Sequence, residues 1–64
     1  MITIRRELTA KLDGWTAIIG GCRFHDCCLG GLVRYLYNLG FFRPGDEYTI
    51  VDGETTKIRT VHEH

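Results

Sequence analysis

The sequence predicts an α+β fold of the order β-β-α-β-β, in which one helix packs on one face of a four-stranded antiparallel sheet. Three patterns support this prediction: a two-residue alternation of apolar and polar side chains, a helical spacing of leucines, and two Asp-Gly pairs typical of hairpin turns. With 64 residues, the chain is long enough for one hydrophobic core only. We therefore expect a single small α+β domain spanning 1–64.

The first hairpin is predicted over residues 2–19. Residues of one parity are apolar, apart from Arg6: Ile2, Ile4, Leu8, Ala10 and Leu12. If Asp13-Gly14 is the two-residue loop of a type I′ turn, Leu12 faces Trp15 and Leu8 faces Ile19. These apolar side chains then share one face of the sheet.

One helix is predicted at about 27–39. Asp26 suits the N-cap position, after a second strand that ends at Gly20-Gly21 and a connecting loop over 22–25. Four apolar residues have helical spacing, and Gly40 is suited to end the helix. These four residues are Leu29, Leu32, Val33 and Leu36.

A second hairpin is predicted from strands at 47–51 and about 55–62, joined around Asp52-Gly53. Its register stays open, because a strict two-residue loop places Val51 opposite Glu54 and mixes polar with apolar residues on each face. The predicted core of the whole domain contains Ile4, Leu8, Leu12, Trp15, Ile19, Leu29, Leu32, Val33, Leu36 and Ile50.

Charge and composition do not favour a polyanionic partner or a membrane span. Eight basic and eight acidic residues give a formal net charge of zero, so bulk electrostatics favours neither nucleic acid nor anionic lipid. No apolar segment approaches the roughly 20 residues that a membrane span needs, and we see no signal peptide. The three cysteines are clustered and odd in number, which favours a reducing cytoplasm.

The outward side of the predicted helix is a candidate contact surface. Glycines in a helix cost roughly 1 kcal/mol each against alanine, and on an outward face they let another backbone approach closely. Tyr and Arg are also enriched in interfaces. The predicted surface contains Cys27, Gly30, Gly31, Arg34, Tyr35 and Asn38. A second candidate is the open sheet face, with Arg5, Glu7 and Lys11.

The cysteines also suggest a zinc-stabilised module as an alternative. Cys22, His25, Cys27 and Cys28 offer thiolate and imidazole ligands, and His62 and His64 could complete a tetrahedral site. The spacing matches no named zinc module, however. The preferred prediction therefore has no metal and no cofactor.

The segment from Asp26 to Tyr37 resembles the nucleophile helix of NlpC/P60-type papain-like peptidases, in which Asp-Cys-Ser-Gly-Leu-Val opens a helix. The resemblance implies a cysteine nucleophile at Cys27 or Cys28 and a histidine on a later strand, for which His62 is the only candidate. Two extra residues interrupt the match. Since no orienting third group follows and so short a chain leaves no substrate cleft, we predict that the protein is not an enzyme.

Leu39-Gly40-Phe41, followed by Pro44-Gly45-Asp46, resembles the Gly-Phe-x-x-Gly-Asp segment of SpoVT/AbrB-type and SymE-like swapped-hairpin proteins. This resemblance implies a small DNA-binding dimer as a second alternative. The cations that could line a sheet surface are Arg5, Arg6, Lys11, Lys57 and Arg59. They are interleaved with Glu7, Glu47 and Glu54, which would cancel part of their attraction for phosphate.

The sequence favours a small non-enzymatic interaction module that sterically blocks or regulates a protein or a protein–nucleic acid complex. A homodimer is compatible with the same surfaces. Neutral domains of this size are often phage or mobile-element products, including inhibitors of host defence such as anti-CRISPR proteins. That origin is an expectation from size and missing chemistry, because no motif in the chain identifies it.

Overall fold

The computed structural model describes residues 1–62 as one five-stranded mixed sheet with one helix. The elements are β1 (Ile2–Leu8), β2 (Asp13–Ile19), β3 (Cys22–Asp26), α1 (Leu29–Asn38), β4 (Glu47–Asp52) and β5 (Thr55–Thr60). The strand order in space is β3-β2-β1-β4-β5. The predicted α+β class is confirmed, whereas the prediction of a four-stranded antiparallel sheet is wrong.

The additional strand, β3, comprises residues that the sequence analysis places in a loop. Gly20 and Gly21 have φ angles of +58° and +81°, and Ile19 pairs with Cys22 across them. This is the geometry of a two-residue type I′ turn, which needs positive φ at both central positions. Gly20-Gly21 therefore reverses the chain instead of only ending β2.

The central strands β1 and β4 pair in parallel. Because β3 is antiparallel to β2 and β2 is antiparallel to β1, β3 runs in the same direction as β4. Strands of the same direction need a crossover connection, for which a helix is the usual element. Since α1 is that crossover, an antiparallel sheet is excluded once β3 forms.

The register predicted for the first hairpin is wrong. Leu8 pairs with Asp13, so the loop consists of residues 9–12 instead of Asp13-Gly14. Thr9 organises this loop, because its Oγ1 accepts a hydrogen bond from the Leu12 amide (3.0 Å) and its own amide donates to the Leu12 carbonyl (2.7 Å). Local side-chain hydrogen bonds of this kind compete with the two-residue turn.

Gly14 is a strand residue of β2, and its lack of a side chain is required by packing. A Cβ at this position would lie 2.6 Å from the Asp26 carbonyl oxygen and 2.7 Å from the His25 ring. The glycine lets the end of β3 approach β2 closely. The Asp13-Gly14 pair thus reflects a close approach of strands and not a turn.

The second hairpin is confirmed, with its turn shifted by one residue. Asp52 pairs with Thr55, which makes Gly53-Glu54 the two-residue loop. Ile50 consequently lies opposite Lys57, so no bulge is needed to place Ile50 in the core. β5 ends at Thr60, before the predicted end at 62.

α1 is shorter than predicted at its beginning, because β3 continues through Asp26. The N-cap residue is Cys28, which makes no side-chain capping bond. The predicted N-cap, Asp26, instead accepts a hydrogen bond from the Cys28 amide through Oδ1 (2.9 Å). At the other end, the Gly40 amide donates to the Tyr37 carbonyl (3.1 Å), which ends the helix where the sequence predicts. No helix within residues 1–62 is long and apolar enough to cross a membrane.

The core lies between α1 and one face of the sheet, which we call the helix face; the opposite side is the open face. Ile4, Ala17 and Ile50 are cross-strand neighbours on the helix face and are at most 5% exposed. Of the predicted core, Ile4, Leu32, Val33, Leu36 and Ile50 are buried, and Trp15, Ile19 and Leu29 pack against them.

Leu8 and Leu12 are the errors in the predicted core. Leu8 is 69% exposed, and Leu12 is half-buried in the loop outside the core. The core also contains four residues that are absent from the predicted core: Ala17, Phe42, Tyr48 and Val61. Within this core, the ring centres of Phe42 and Tyr48 lie 5.3 Å apart.

Arg6, the exception to the alternation in β1, also has a structural role. It lies directly opposite Trp15, with its guanidinium 5.6 Å from the centre of the Trp15 ring. It also forms ion pairs with Asp13 (3.6 Å) and Asp52 (3.5 Å). A cation over an aromatic face is favourable at this distance. A charged residue can therefore occupy a position of β1 whose side chain points to the helix face, at the edge of the core.

Candidate functional site

The predicted outward side of α1 is exposed only in part: Cys27 precedes the helix, and the two glycines differ. Arg34, Tyr35 and Asn38 are exposed. A Cβ at Gly30 would meet no atom within 4 Å, whereas a Cβ at Gly31 would lie 2.9 Å from the Asp26 carboxylate. Gly30 is therefore open to an approaching partner, while Gly31 makes room for a side chain of its own protein.

Three aromatic side chains meet at the end of the sheet where β3 is the edge strand. Phe24 lies edge-on to Tyr35 and to Phe41, with ring centres 5.9 Å and 5.4 Å apart. Tyr35 and Phe41 remain 47% and 40% exposed. We call these three residues the aromatic patch. Leu39, 49% exposed, follows Tyr35 by one helical turn and extends the apolar surface.

Of this patch, only Tyr35 is predicted from the sequence. The sequence predicts a loop at Phe24, but Phe24 alternates with Arg23 and His25 at the period of a strand and points to the helix face. Phe41 enters the sequence-based predictions only through the resemblance of Leu39-Gly40-Phe41 to swapped-hairpin proteins. The patch depends on β3, so it could be found only after that strand was recognised.

The patch borders a shallow hollow at the free edge of β3, lined by Arg23, Phe24, His25, Asp26 and Tyr35. β3 pairs with β2 on one side only. An edge strand presents backbone donors and acceptors to which an extended segment of another protein can pair. The aromatic patch and the unpaired strand edge therefore adjoin.

The residues predicted on the open sheet face are only partly brought together. Arg5 and Glu7 do lie there, near Thr3, Thr16 and Ile18. Glu7 forms an ion pair with Arg23 (2.5 Å). Lys11 lies in the loop between β1 and β2, so it does not belong to the sheet face.

The cations considered for DNA binding do not share one surface. Lys57 and Arg59 pair with Ile50 and Tyr48 and so lie on the helix face, opposite to Arg5. Arg6 is already paired with two aspartates. The positive charge is thus divided between both sides of the sheet.

The predicted zinc ligands do not all come together at one site. Cys22 and Cys27 lie at opposite ends of β3, about 16 Å apart for five residues of strand. The His25 Nδ1 atom forms a hydrogen bond with the Thr16 hydroxyl (3.0 Å). Asp26, Cys27 and Cys28 do come together, with their ligand atoms within 4.8 Å of one another. His62 is exposed, and His64 lies outside the described residues.

The environment of Cys27 disfavours the thiolate. Its pKa is raised, mainly by a hydrogen bond with the Cys28 thiol and by the charge of Cys28, and further by the Asp26 carboxylate. A cysteine nucleophile needs the opposite shift. The surroundings of Cys27 therefore do not resemble those of an activated nucleophile.

Comparison of the chain with models of protein families, with curated proteins and with solved structures found no match.

Proposed function

We propose that this protein is a small interaction module that acts by occupying a surface of a partner protein, which it thereby blocks or regulates. The observation that supports this proposal is the aromatic patch, in which Tyr35 and Phe41 stay 47% and 40% exposed beside an unpaired strand edge. Aromatic and arginine side chains are the usual anchors of protein interfaces.

The partner would contact the aromatic patch and the outward side of α1 together. Arg34 and Asn38 lie one helical turn apart on the exposed side of the helix and supply a polar rim. Gly30 leaves space for close backbone approach. The arrangement has an aromatic centre and a polar surround, which is the usual organisation of an interface.

The proposed setting is a reducing compartment such as the cytoplasm, and a phage or mobile-element inhibitor is the class that we expect. Three exposed cysteines, Cys22, Cys27 and Cys28, are free in the described residues. Exposed thiols of this kind persist where disulfides do not form. The proposal assigns no chemical step to them.

Site-specific photo-cross-linking tests the proposal. A photoreactive residue is placed at position 35 in one variant and at position 58 in a matched control, because Ile58 is also exposed (60%) but lies on the open face of β5. We expect one protein to be captured from position 35 and not from position 58. Equal capture from both positions, or capture of nucleic acid alone, would contradict the proposal.

A further inference from the structure

The junction between β3 and α1 brings together two thiols and one carboxylate. From this arrangement we propose that Asp26, Cys27 and Cys28 bind a thiophilic divalent ion of the zinc class in tetrahedral geometry, with the fourth position open. The proposed site uses Cys27 and Cys28 without Cys22 and does not rest on the function proposed above, although Asp26 also lines the hollow beside the aromatic patch.

The separation of the two sulfur atoms fits this geometry. Cys27 Sγ and Cys28 Sγ are 3.7 Å apart. Two Zn–S bonds of about 2.3 Å at a tetrahedral angle place their sulfur atoms about 3.8 Å apart, whereas two such bonds in line would require about 4.6 Å. The thiol pair therefore has the spacing of a tetrahedral edge before any ion binds.

The third ligand is held in place by its surroundings. The Asp26 carboxylate accepts the Cys28 amide hydrogen bond through Oδ1 (2.9 Å) and lies against Gly31, where a Cβ would be 2.9 Å from Oδ1 and 3.0 Å from Oδ2. A side chain at position 31 would displace this carboxylate. Glycine at position 31 lowers the stability of the helix, but it leaves room for the Asp26 carboxylate next to the thiols.

The donor set selects the class of ion. Two thiolates with one carboxylate suit zinc, whereas magnesium and calcium prefer oxygen donors only. Binding one divalent ion to the two sulfur atoms as thiolates releases two thiol protons to solvent. All of the electrons in the new bonds come from the ligands, so no oxidant or reductant takes part.

Within residues 1–62, no fourth ligand atom groups with Asp26, Cys27 and Cys28, which leaves the fourth position open. The His25 imidazole is turned to Thr16, and Cys22 is at the other end of β3. Since Cys27 and Cys28 are exposed, water or a donor atom from another molecule can complete the tetrahedron. Three protein ligands with one exchangeable position are the pattern of an open zinc site.

Titration of the reduced protein with Co²⁺ tests the site, because tetrahedral Co²⁺ bound to thiolates gives intense visible absorption and a near-ultraviolet charge-transfer band. We expect one Co²⁺ per chain, displaced by Zn²⁺. Cys27→Ser and Cys28→Ser should each abolish the charge-transfer signal of the two-thiolate site, and Asp26→Asn should weaken binding by about tenfold or more. Circular dichroism confirms that each variant remains folded.

Cys22→Ser is the matched control, since it removes another exposed thiol, at the end of β3 opposite to Asp26. It should leave the stoichiometry, spectrum and affinity unchanged. The proposal is overturned if the unmodified protein gives no tetrahedral Co²⁺ spectrum, if Cys22→Ser removes the signal, or if Cys27→Ser and Cys28→Ser retain it.

Discussion

The two helix glycines provide a direct test of the packing described for α1. Gly30 and Gly31 are neighbours in the first turn and have the same intrinsic cost, so replacing either with alanine should stabilise the helix by up to about 1 kcal/mol. Only Gly31 has a neighbour in the way, because its new Cβ would lie 2.9 Å from the Asp26 carboxylate. Moving that carboxylate breaks its hydrogen bond to the Cys28 amide, which costs about 0.5–1.5 kcal/mol.

The expected result is a difference in thermal stability between Gly30→Ala and Gly31→Ala. Gly30→Ala should raise the Tm by about 4–8 °C, since 1 kcal/mol corresponds to that shift in a domain of this size. Gly31→Ala should leave the Tm close to that of the unmodified protein, because the gain and the loss cancel. Thermal unfolding followed by circular dichroism measures both. Equal increases in Tm would refute the assignment of Gly31 to the carboxylate.

Three further predictions concern the core, the close strand approach and the thiols. Leu36→Ala should lower the free energy of unfolding by about 2–5 kcal/mol, which is most of what a small core supplies. Leu8→Ala should change the free energy of unfolding by less than about 0.5 kcal/mol. Similar urea midpoints for the two variants would contradict the observed core. Gly14→Ala should destabilise by about 1–3 kcal/mol through overpacking and speed amide exchange in β3, and unchanged exchange there would show that the close approach is not needed. Cys28→Ala removes the largest cause of the raised pKa of Cys27, so a larger fraction of Cys27 should be thiolate at neutral pH and its alkylation should be faster. Mass spectrometry measures this rate, with Cys22 as the internal reference. A slower reaction would be evidence against this cause.

Periodicity predicted the helix and much of the core from the sequence alone. Leu32, Val33 and Leu36 have helical spacing and are buried, because an amphipathic helix must place its apolar side against the sheet. The two hairpins were also predictable in kind. The register of the first hairpin was not predictable, because Thr9 organises a four-residue loop and Gly14 makes a close strand contact where the sequence suggests a simple Asp-Gly turn.

The parallel strand pair and the aromatic patch depend on β3, which the sequence hides. Gly20-Gly21 can end a strand or turn a hairpin, and local sequence does not decide between them. Because Gly20-Gly21 forms a hairpin turn, Phe24 belongs to β3, points to the helix face and contacts Tyr35. Phe42 and Val61 enter the core through contacts distant in sequence, which periodicity within one element does not reveal.

The proposal that the aromatic patch binds a partner is tested most directly by the affinity of the captured partner for two variants. Loss of an interface anchor costs about 2 kcal/mol or more, which is about 30-fold in Kd. We expect Tyr35→Ala to weaken binding by at least that factor in titration calorimetry, while Ile58→Ala, which removes a more exposed side chain from β5, leaves Kd unchanged. An unchanged Kd for Tyr35→Ala with the fold intact would contradict the account.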